Sequence, residues 1–386
     1  MMNPLFAELP TTVFEEISAL ARQHGAVNLG QGFPDGNGPE DVRAQAAEAL
    51  MHGSNQYPPM LGAPELRRAV VEHYARFQGL DLSLEEVLVT FGATEALACA
   101  LFALIAPGDE VVLIQPMYDV YLPVVRQAGG IPRFLRLEPP HWRLDEAALE
   151  AAITPATRVL VLNNPLNPAA RVFDIDELAA VARVCLRHDL IAVCDEVWEH
   201  VVFDGRRHRP LMALEGMRER TVKIGSAGKI FSMTGWKVGF ACAAPPLQHV
   251  LAKVHQVLAF TVPPNLQAGV AYGLAKTEHY FAEVRGGFQR SRDRLAAALR
   301  QEGYAVLPSE GAYFLCVDLQ ASGVAVDDAT FCRAAIMQAG VAAIPVSAFY
   351  AEAPVRNVVR LCFAKQDATL DEAARRLGAA RRLFTP

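Results

Sequence analysis

Lys229 lies in the run Ser226-Ala-Gly-Lys-Ile-Phe-Ser-Met-Thr-Gly-Trp-Lys237, directly after a short β-type stretch from Thr221 to Gly225. An ammonium has an ordinary pKa near ~10.4 and is no nucleophile, but loss of water or a neighbouring cation lowers that value. The amine is then free to form a Schiff base with a carbonyl. Lys237, close by in the same run, is a candidate for the neighbouring cation. Most lysines are solvated surface groups, so the case for chemistry rests on what the chain brings to the same place.

Three other predicted strand ends carry suitable groups. After the apolar run Ile191 to Cys194 comes Asp195-Glu-Val-Trp-Glu-His200. A carboxylate there is costly to bury unless it meets a cation or a protonated ring nitrogen; a structural ion pair with an arginine is the competing account. After Arg158 to Leu162 comes Asn163-Asn-Pro-Leu-Asn-Pro168, where prolines fix the backbone and asparagines keep amide groups in a sharp turn, as a plain Asx turn would also do. After Val87 to Thr90 comes Phe91-Gly-Ala-Thr-Glu, a glycine turn opening a helix whose free amides and positive end suit a phosphate, with Thr94 adding a hydroxyl. Ordinary helix entry would look the same. Together the four ends describe a site for an anionic ring whose aldehyde is held by Lys229 and whose ring nitrogen is kept protonated by Asp195. Pyridoxal 5′-phosphate is such a group, and it acts as an electron sink.

The elements that must position these residues are short β-branched or apolar runs alternating with helix-like stretches. The runs are Val87 to Thr90, Glu110 to Ile114, Arg158 to Asn163, Ile191 to Cys194, Thr221 to Gly225 and Val238 to Ala243. Helices are expected over Ala93 to Ile105, Asp174 to His188 with Asp174 as cap, and Pro246 to Phe260. That alternation predicts an α/β fold with a mostly parallel sheet covered by helices on both faces. In such sheets ligands bind beyond the carboxyl ends of the strands. Towards the C-terminus the pattern changes to a long polar helix, Glu278 to Glu302, then strands at Tyr313 to Asp318, Ala342 to Pro345 and Val358 to Phe363, and a final helix through Arg382. This reads as a smaller α+β domain over 281–386, joined by the N-terminal segment 1–40, beside a large domain over 41–280.

Composition sets outer limits. A chain of 386 residues that is 52% hydrophobic and 20% charged can bury a large core. The formal charge of −6, with no basic stripe interleaved with aromatics, makes nucleic acid an unsuitable partner. Seven scattered cysteines without a C-x-x-C pair read as buried thiols in a reducing compartment, with no metal centre. No apolar run approaches the ~20 residues that span a bilayer, and the acidic start lacks the form of a signal peptide. No membrane and a cytoplasmic location are therefore expected. The arginines Arg375, Arg376, Arg381 and Arg382 read as a solvated helix face.

With these residues in place the chain resembles the class I/II aminotransferases of the fold type I pyridoxal-phosphate enzymes. The likeness is strongest to the branch holding methionine aminotransferase and kynurenine aminotransferase (glutamine transaminase K). It runs from Asn28-Leu-Gly-Gln-Gly-Phe-Pro-Asp35 through Asn55-Gln-Tyr, Gly92-Ala-Thr-Glu, Asp195-Glu-Val, Ser226-Ala-Gly-Lys and Thr234-Gly-Trp-Lys-Val-Gly to Val359-Arg-Leu-Cys-Phe363. The resemblance implies that Lys229 forms the internal aldimine and shuttles the proton, and that Asp195 holds the pyridinium nitrogen. Asn167 would touch the ring hydroxyl and the substrate carboxylate. It implies phosphate contacts from the backbone of Ala93 and Thr94 and from Ser226 and Lys237, with Tyr118 stacked on the ring; without the family Tyr118 would pass for a core aromatic. Arg360 would grip the α-carboxylate with its two-pronged guanidinium, a geometry lysine cannot match, and Gly32 would offer an amide nearby. Tyr57 would reach the phosphate of the neighbouring subunit, which implies a homodimer. Trp198 departs from the pattern, since relatives usually carry tyrosine there. Indole offers one N–H and no ionisable oxygen, so the titration of the lysine's imine is expected to differ from the family's habit.

The reaction implied is transfer of an amino group from an amino acid to a 2-oxo acid by a ping-pong mechanism. Phe33, Phe260, Tyr313, Phe314 and Phe349 near the expected mouth, with no second arginine in view, point to uncharged medium-to-large donors such as methionine, aromatic amino acids, glutamine or kynurenine. A pyridoxal enzyme cleaving cysteine conjugates by β-elimination is the rival within the class. A nucleotide-binding oxidoreductase is the rival outside it, although Gly30-Gln-Gly-Phe-Pro-Asp35 lacks the third glycine of the dinucleotide fingerprint. A non-catalytic regulator on the same fold would need a DNA-binding domain for which the chain offers no stretch before Gly30.

Overall fold

The computed structural model describes residues 2–385. After a short strand β1 (Val27–Asn28), seven strands form the main sheet: β2 (Val87–Thr90), β3 (Glu110–Gln115), β4 (Ile131–Arg136), β5 (Thr157–Asn163), β6 (Ile191–Asp195), β7 (Thr221–Ser226) and β8 (Gly239–Cys242), in the order β2-β8-β7-β6-β5-β3-β4. Only β8 runs against its neighbours. The alternation of runs and helices thus gives the α/β, mostly parallel sheet expected. Helices cover both faces, so the inner strands are apolar on both sides: Val111, Val112, Leu113 and Ile114 are all buried. Strand β4 escaped the sequence reading because Ile131-Pro-Arg-Phe-Leu-Arg136 is a half-exposed edge strand, the one place where a sheet tolerates proline.

Helices begin where their caps say. Asp174 and Glu177 form a reciprocal capping box at Ile175–Arg187, satisfying backbone amides at the helix start. The helix expected from Ala93 runs Gly92–Leu104 and that expected from Pro246 runs Pro245–Leu258, each starting one residue early. The helices Glu40–His52, Pro64–Gln78 and Pro264–Leu274 had not been placed.

Towards the C-terminus, β9 (Ala305–Val306), β10 (Phe314–Asp318), β11 (Val341–Ala342), β12 (Ile344–Pro345) and β13 (Val358–Cys362) make two further sheets. One is antiparallel with order β12-β13-β10-β9; the other pairs β11 with β1 in parallel. The single strand expected over Ala342 to Pro345 is thus two, turning at Ala343 to serve different sheets. The helix Val13–Gln23 buries Ile17 and Ala21 in the same core as Ile336, Val341 and Ile344. Among the described residues, no helix is long and apolar enough to cross a membrane.

One feature of β7 bears on the site. Side chains alternate across a strand, so Lys223 points away from the face bearing Ile224 and meets two acids of the segment after β6. Lys223 Nζ donates to Glu196 Oε2 at 2.6 Å and Glu199 Oε2 at 2.7 Å, and all three residues are buried. His208 Nε2 adds a contact to Glu196 at 2.8 Å; Tyr74 and Gln78 donate to Glu199. Burial works against each charge, but the ion pairs win: Lys223 is raised above its ordinary range, and Lys223 with His208 holds Glu196 down to about 2. Removing one partner would strand buried charge. Lys223→Met is expected to cost about 3–5 kcal/mol of apparent unfolding free energy in urea titrations of the holoenzyme; a loss under about 1 kcal/mol would show that the cluster does not hold the β6–β7 seam.

Candidate active site

A cavity of about 240 Å³ opens at the carboxyl ends of the parallel strands. Each wall follows from a strand end. Beyond β2, Gly92 takes a φ of +68°, which glycine adopts freely, and starts the helix Gly92–Leu104. The Phe91 side chain cannot cap that start and Glu95 takes only the Phe91 amide, so the amides from Gly92 to Thr94 remain available. A Cβ at Gly239 of β8 would fall 2.6 Å from the Gly92 carbonyl carbon, so only glycine lets β8 approach this turn. Lys237, itself at φ +53°, sends Nζ to 3.4 Å from Thr94 Oγ1. Ser226 ends β7 and Lys229 sits in the short helix Ala227–Ile230 that follows; both line the cavity.

On the far side Asp195 ends β6. Its Oδ2 accepts from the Tyr121 hydroxyl at 2.6 Å and its Oδ1 accepts weakly from the Val197 amide at 3.4 Å. Among the described residues no arginine pairs with it, which removes the structural ion pair as an account. Asn163, in register beside Asp195, donates to its backbone carbonyl and accepts from the Asn167 amide. The turn Asn163 to Pro168 is thereby an Asx-type brace that also aims Asn167 outward. Asn167 Oδ1 accepts from Arg360 at 2.8 Å.

Arg360 stands in β13, the centre of the antiparallel sheet, and is 1% exposed. It donates to Asn167 and to the Gly30 carbonyl at 2.7 Å, is flanked by Phe314, Phe14 and Phe349, and leaves Nε without a partner. Buried guanidinium without a carboxylate is a site awaiting an anion. Burial pushes its pKa down to about 10.

Lys229 Nζ lies 4.7 Å from the Trp198 ring centre and 5.8 Å from that of Tyr313. Its pKa is lowered to about 8, chiefly by burial, against the pull of Asp195. Arg360 and then Lys237 add to the depression, so Lys237 does act as a neighbouring cation, as a minor contributor. Burial raises Asp195, offset by the Tyr121 hydroxyl, the Val197 amide and the Lys229 charge.

Ala93, Thr94, Tyr118, Asn167, Asp195, Trp198, Ser226, Lys229 and Lys237 all line the one cavity. Gly32, Phe33, Tyr57, Phe260 and Arg360 do not, although Arg360 reaches the wall through its hydrogen bond to Asn167. Gly32 passes close to Phe314, where a Cβ would clash at 2.8 Å, and it is the carbonyl of Gly32, accepting from Tyr313, that is engaged. Phe33 is half-exposed beside Lys365. Tyr57 is 82% exposed, edge-on to the half-exposed Phe260. Sequence reasoning missed Tyr121, three residues after Tyr118 in the same run, and Phe14, whose signal was only its place on the buried face of an amphipathic helix.

A family model for aminotransferases of class I and II matches residues 24–377. The chain belongs to this family. A probable N-succinyldiaminopimelate aminotransferase of Mycobacterium tuberculosis is 47% identical, over 95% of this chain and 95% of its own length. The methionine aminotransferase of Escherichia coli is 41% identical, over 97% and 98%. A crystal structure of an Escherichia coli protein with methionine aminotransferase function superposes with a TM-score of 0.95 at 39% identity, covering 98% of this chain and 99% of that one.

Class I and II aminotransferases are pyridoxal-phosphate enzymes acting on amino acids and 2-oxo acids, so this chain is a pyridoxal-phosphate-dependent transaminase. The residues present suit that cofactor. The uncapped helix start, Thr94, Ser226 and Lys237 are donors for a phosphate, Asp195 is a buried carboxylate lacking a cation, and Lys229 is a depressed amine between them. A lysine attacks electrophiles only when neutral, so lowering its pKa extends reactivity downward in pH. In the cofactor-free aminotransferase, carbamylation of Lys229 by cyanate, followed by mass spectrometry, is expected to be half-maximal near pH 8. Asp195→Asn removes a charge that raises Lys229, so the midpoint should move lower still; a midpoint near the ordinary ~10.4 would show that burial does not set it.

Proposed function

We propose that this aminotransferase takes its amino group from uncharged medium-to-large amino acids. What carries the reading is the surroundings of Arg360: one unpaired guanidinium walled by Phe14, Phe314 and Phe349. The guanidinium takes the α-carboxylate, and the rings packed around it bring no charge that would favour an acidic side chain. Among the described residues, the cations lining the cavity are Lys229 and Lys237, both already at the cofactor end. A distal carboxylate on the donor finds no counter-charge there.

In this reading pyridoxal phosphate, when bound, supplies the sink for the electron pair left as the substrate Cα–H bond breaks. Asp195, held by Tyr121, would hold the ring nitrogen in its charged form. Lys229 Nζ takes up the proton from Cα, which its lowered pKa permits near neutral pH. Asn167, hydrogen-bonded to Arg360, would serve both the cofactor ring and the substrate carboxylate. Tyr118 and Trp198 close the cavity against water. Donor product leaves before the 2-oxo acid enters, so both carboxylates use Arg360 in turn.

The higher identity to the mycobacterial relative, 47% against 41%, favours a second reading in which the donor is long and N-succinylated. A donor panel separates them. Methionine, phenylalanine, glutamine and kynurenine are expected to exceed glutamate and aspartate by tenfold or more in kcat/KM. Preference for the acidic pair would overturn the proposal, and N-succinyldiaminopimelate ahead of all would establish the second reading.

We further propose a homodimer in the cytoplasm, with Tyr57 serving the phosphate of the partner's site. The support is its exposure and its absence from the cavity of its own chain. Co-expressed Lys229→Ala and Tyr57→Ala chains should then form hybrid dimers containing one intact site, with activity above that of either variant alone; no gain in isolated hybrids would place Tyr57 elsewhere.

A further inference from the structure

A second cavity, of about 640 Å³, lies beyond Glu199 and His200, outside the active site. We propose that it binds a small oxyanion carrying two or more negative charges. Arg76, Arg207, Arg209 and Arg285 all line it, and among the described residues none of the four has a carboxylate within ion-pair distance. Arg206 lines it too but is taken by Glu310 at 2.8 Å. This convergence occurs on a chain of net charge −6, where a cationic hollow is not a by-product of overall composition.

The acids nearby do not neutralise it. Glu199 is held from behind by Lys223 and Gln78 and shares the single Lys223 charge with Glu196, and Glu278 stands at the start of the helix Glu278–Gln301, so two lining carboxylates face four guanidiniums. His208 lines the cavity, is 8% exposed, and uses Nε2 on Glu196 while Nδ1 is left without a partner. Burial first, and then His208, Lys223, Arg285 and Arg76, push His200, which also lines the cavity, down to about 3. A single surface arginine is ordinarily just solvated. Four guanidiniums without a carboxylate around one hollow, of which Arg76 gives one N–H to the Leu274 carbonyl at 2.8 Å, offer forked donors of the kind that phosphate and carboxylate groups match. Phe77 and Phe281 add an apolar wall for the body of such a ligand.

The test uses holoenzyme reduced with borohydride, so that the phosphate donors of the active site are covalently filled. Titration calorimetry with tripolyphosphate and, separately, with citrate is expected to show one site per chain for at least one of them, weakening as salt rises. The triple variant Arg207→Ser, Arg209→Ser, Arg285→Ser should bind that probe at least ~10-fold more weakly with transamination of the unreduced enzyme unchanged. The preferred probe tells phosphate from polycarboxylate. Should the triple variant fail to fold, Arg207→Ser and Arg209→Ser singly, both on exposed side chains, are each expected to weaken binding measurably. No heat with either probe, or equal affinity in parent and variants, would overturn the assignment.

Discussion

The site depends on charges that are buried but not paired with each other. Arg360 has no carboxylate, Asp195 has no arginine, and Lys229 leans on aromatic faces. Desolvation disfavours each charged form, and it is the leading influence on all three. Had any two met directly, the pair would have been structural and the cavity closed to substrate. Spreading them over two different sheets, with Asp195 at the end of β6, Lys229 just after β7 and Arg360 within β13, keeps each in need of a counterpart that a ligand supplies.

The protein shows the opposite arrangement a few ångströms of chain away. In Asp195-Glu-Val-Trp-Glu-His200, Asp195 and Trp198 face the cavity, while Glu196 and Glu199 turn to Lys223. The one segment therefore presents two acids that are satisfied and one that is not. The satisfied acids fix the segment to β7, and that rigidity is what allows Asp195 to remain unsatisfied without shifting to find a partner. Tyr121 completes the restraint from the other side, holding Asp195 Oδ2 with a short hydrogen bond while leaving its charge uncompensated.

Much of this was legible in the sequence because strand ends of a parallel sheet converge, so motifs distant in the chain could be assembled once the strands were placed. The lysine, aspartate, asparagine and phosphate turn each followed an apolar run, and the runs were long enough to read. The edge strand β4 was hidden by Pro132 and half-exposure, and the split of β11 from β12 by the absence of any breaker at Ala343. Tyr121 was unreadable as a partner of Asp195, since nothing across their separation of 74 positions couples them. Lys223 lies inside the β-type run Thr221 to Gly225, and its burial depends on Glu196 and Glu199 turning inward, which alternation alone does not announce.

Trp198 gains meaning only from its neighbours. Its ring meets Tyr313 edge-on at 4.2 Å and Phe314 at 5.5 Å. Phe314 in turn lies 4.0 Å from the Arg360 guanidinium and closes against Gly32. A continuous row of aromatic faces thus runs from Lys229 to Arg360, holding a cation at each end. A phenol at position 198 would offer a hydroxyl but less surface to this row, so the indole exchanges a polar contact at the cofactor end for packing that reaches the carboxylate end. The surroundings of Lys229 and of Arg360 are therefore one set of contacts, and neither can be altered without disturbing the other.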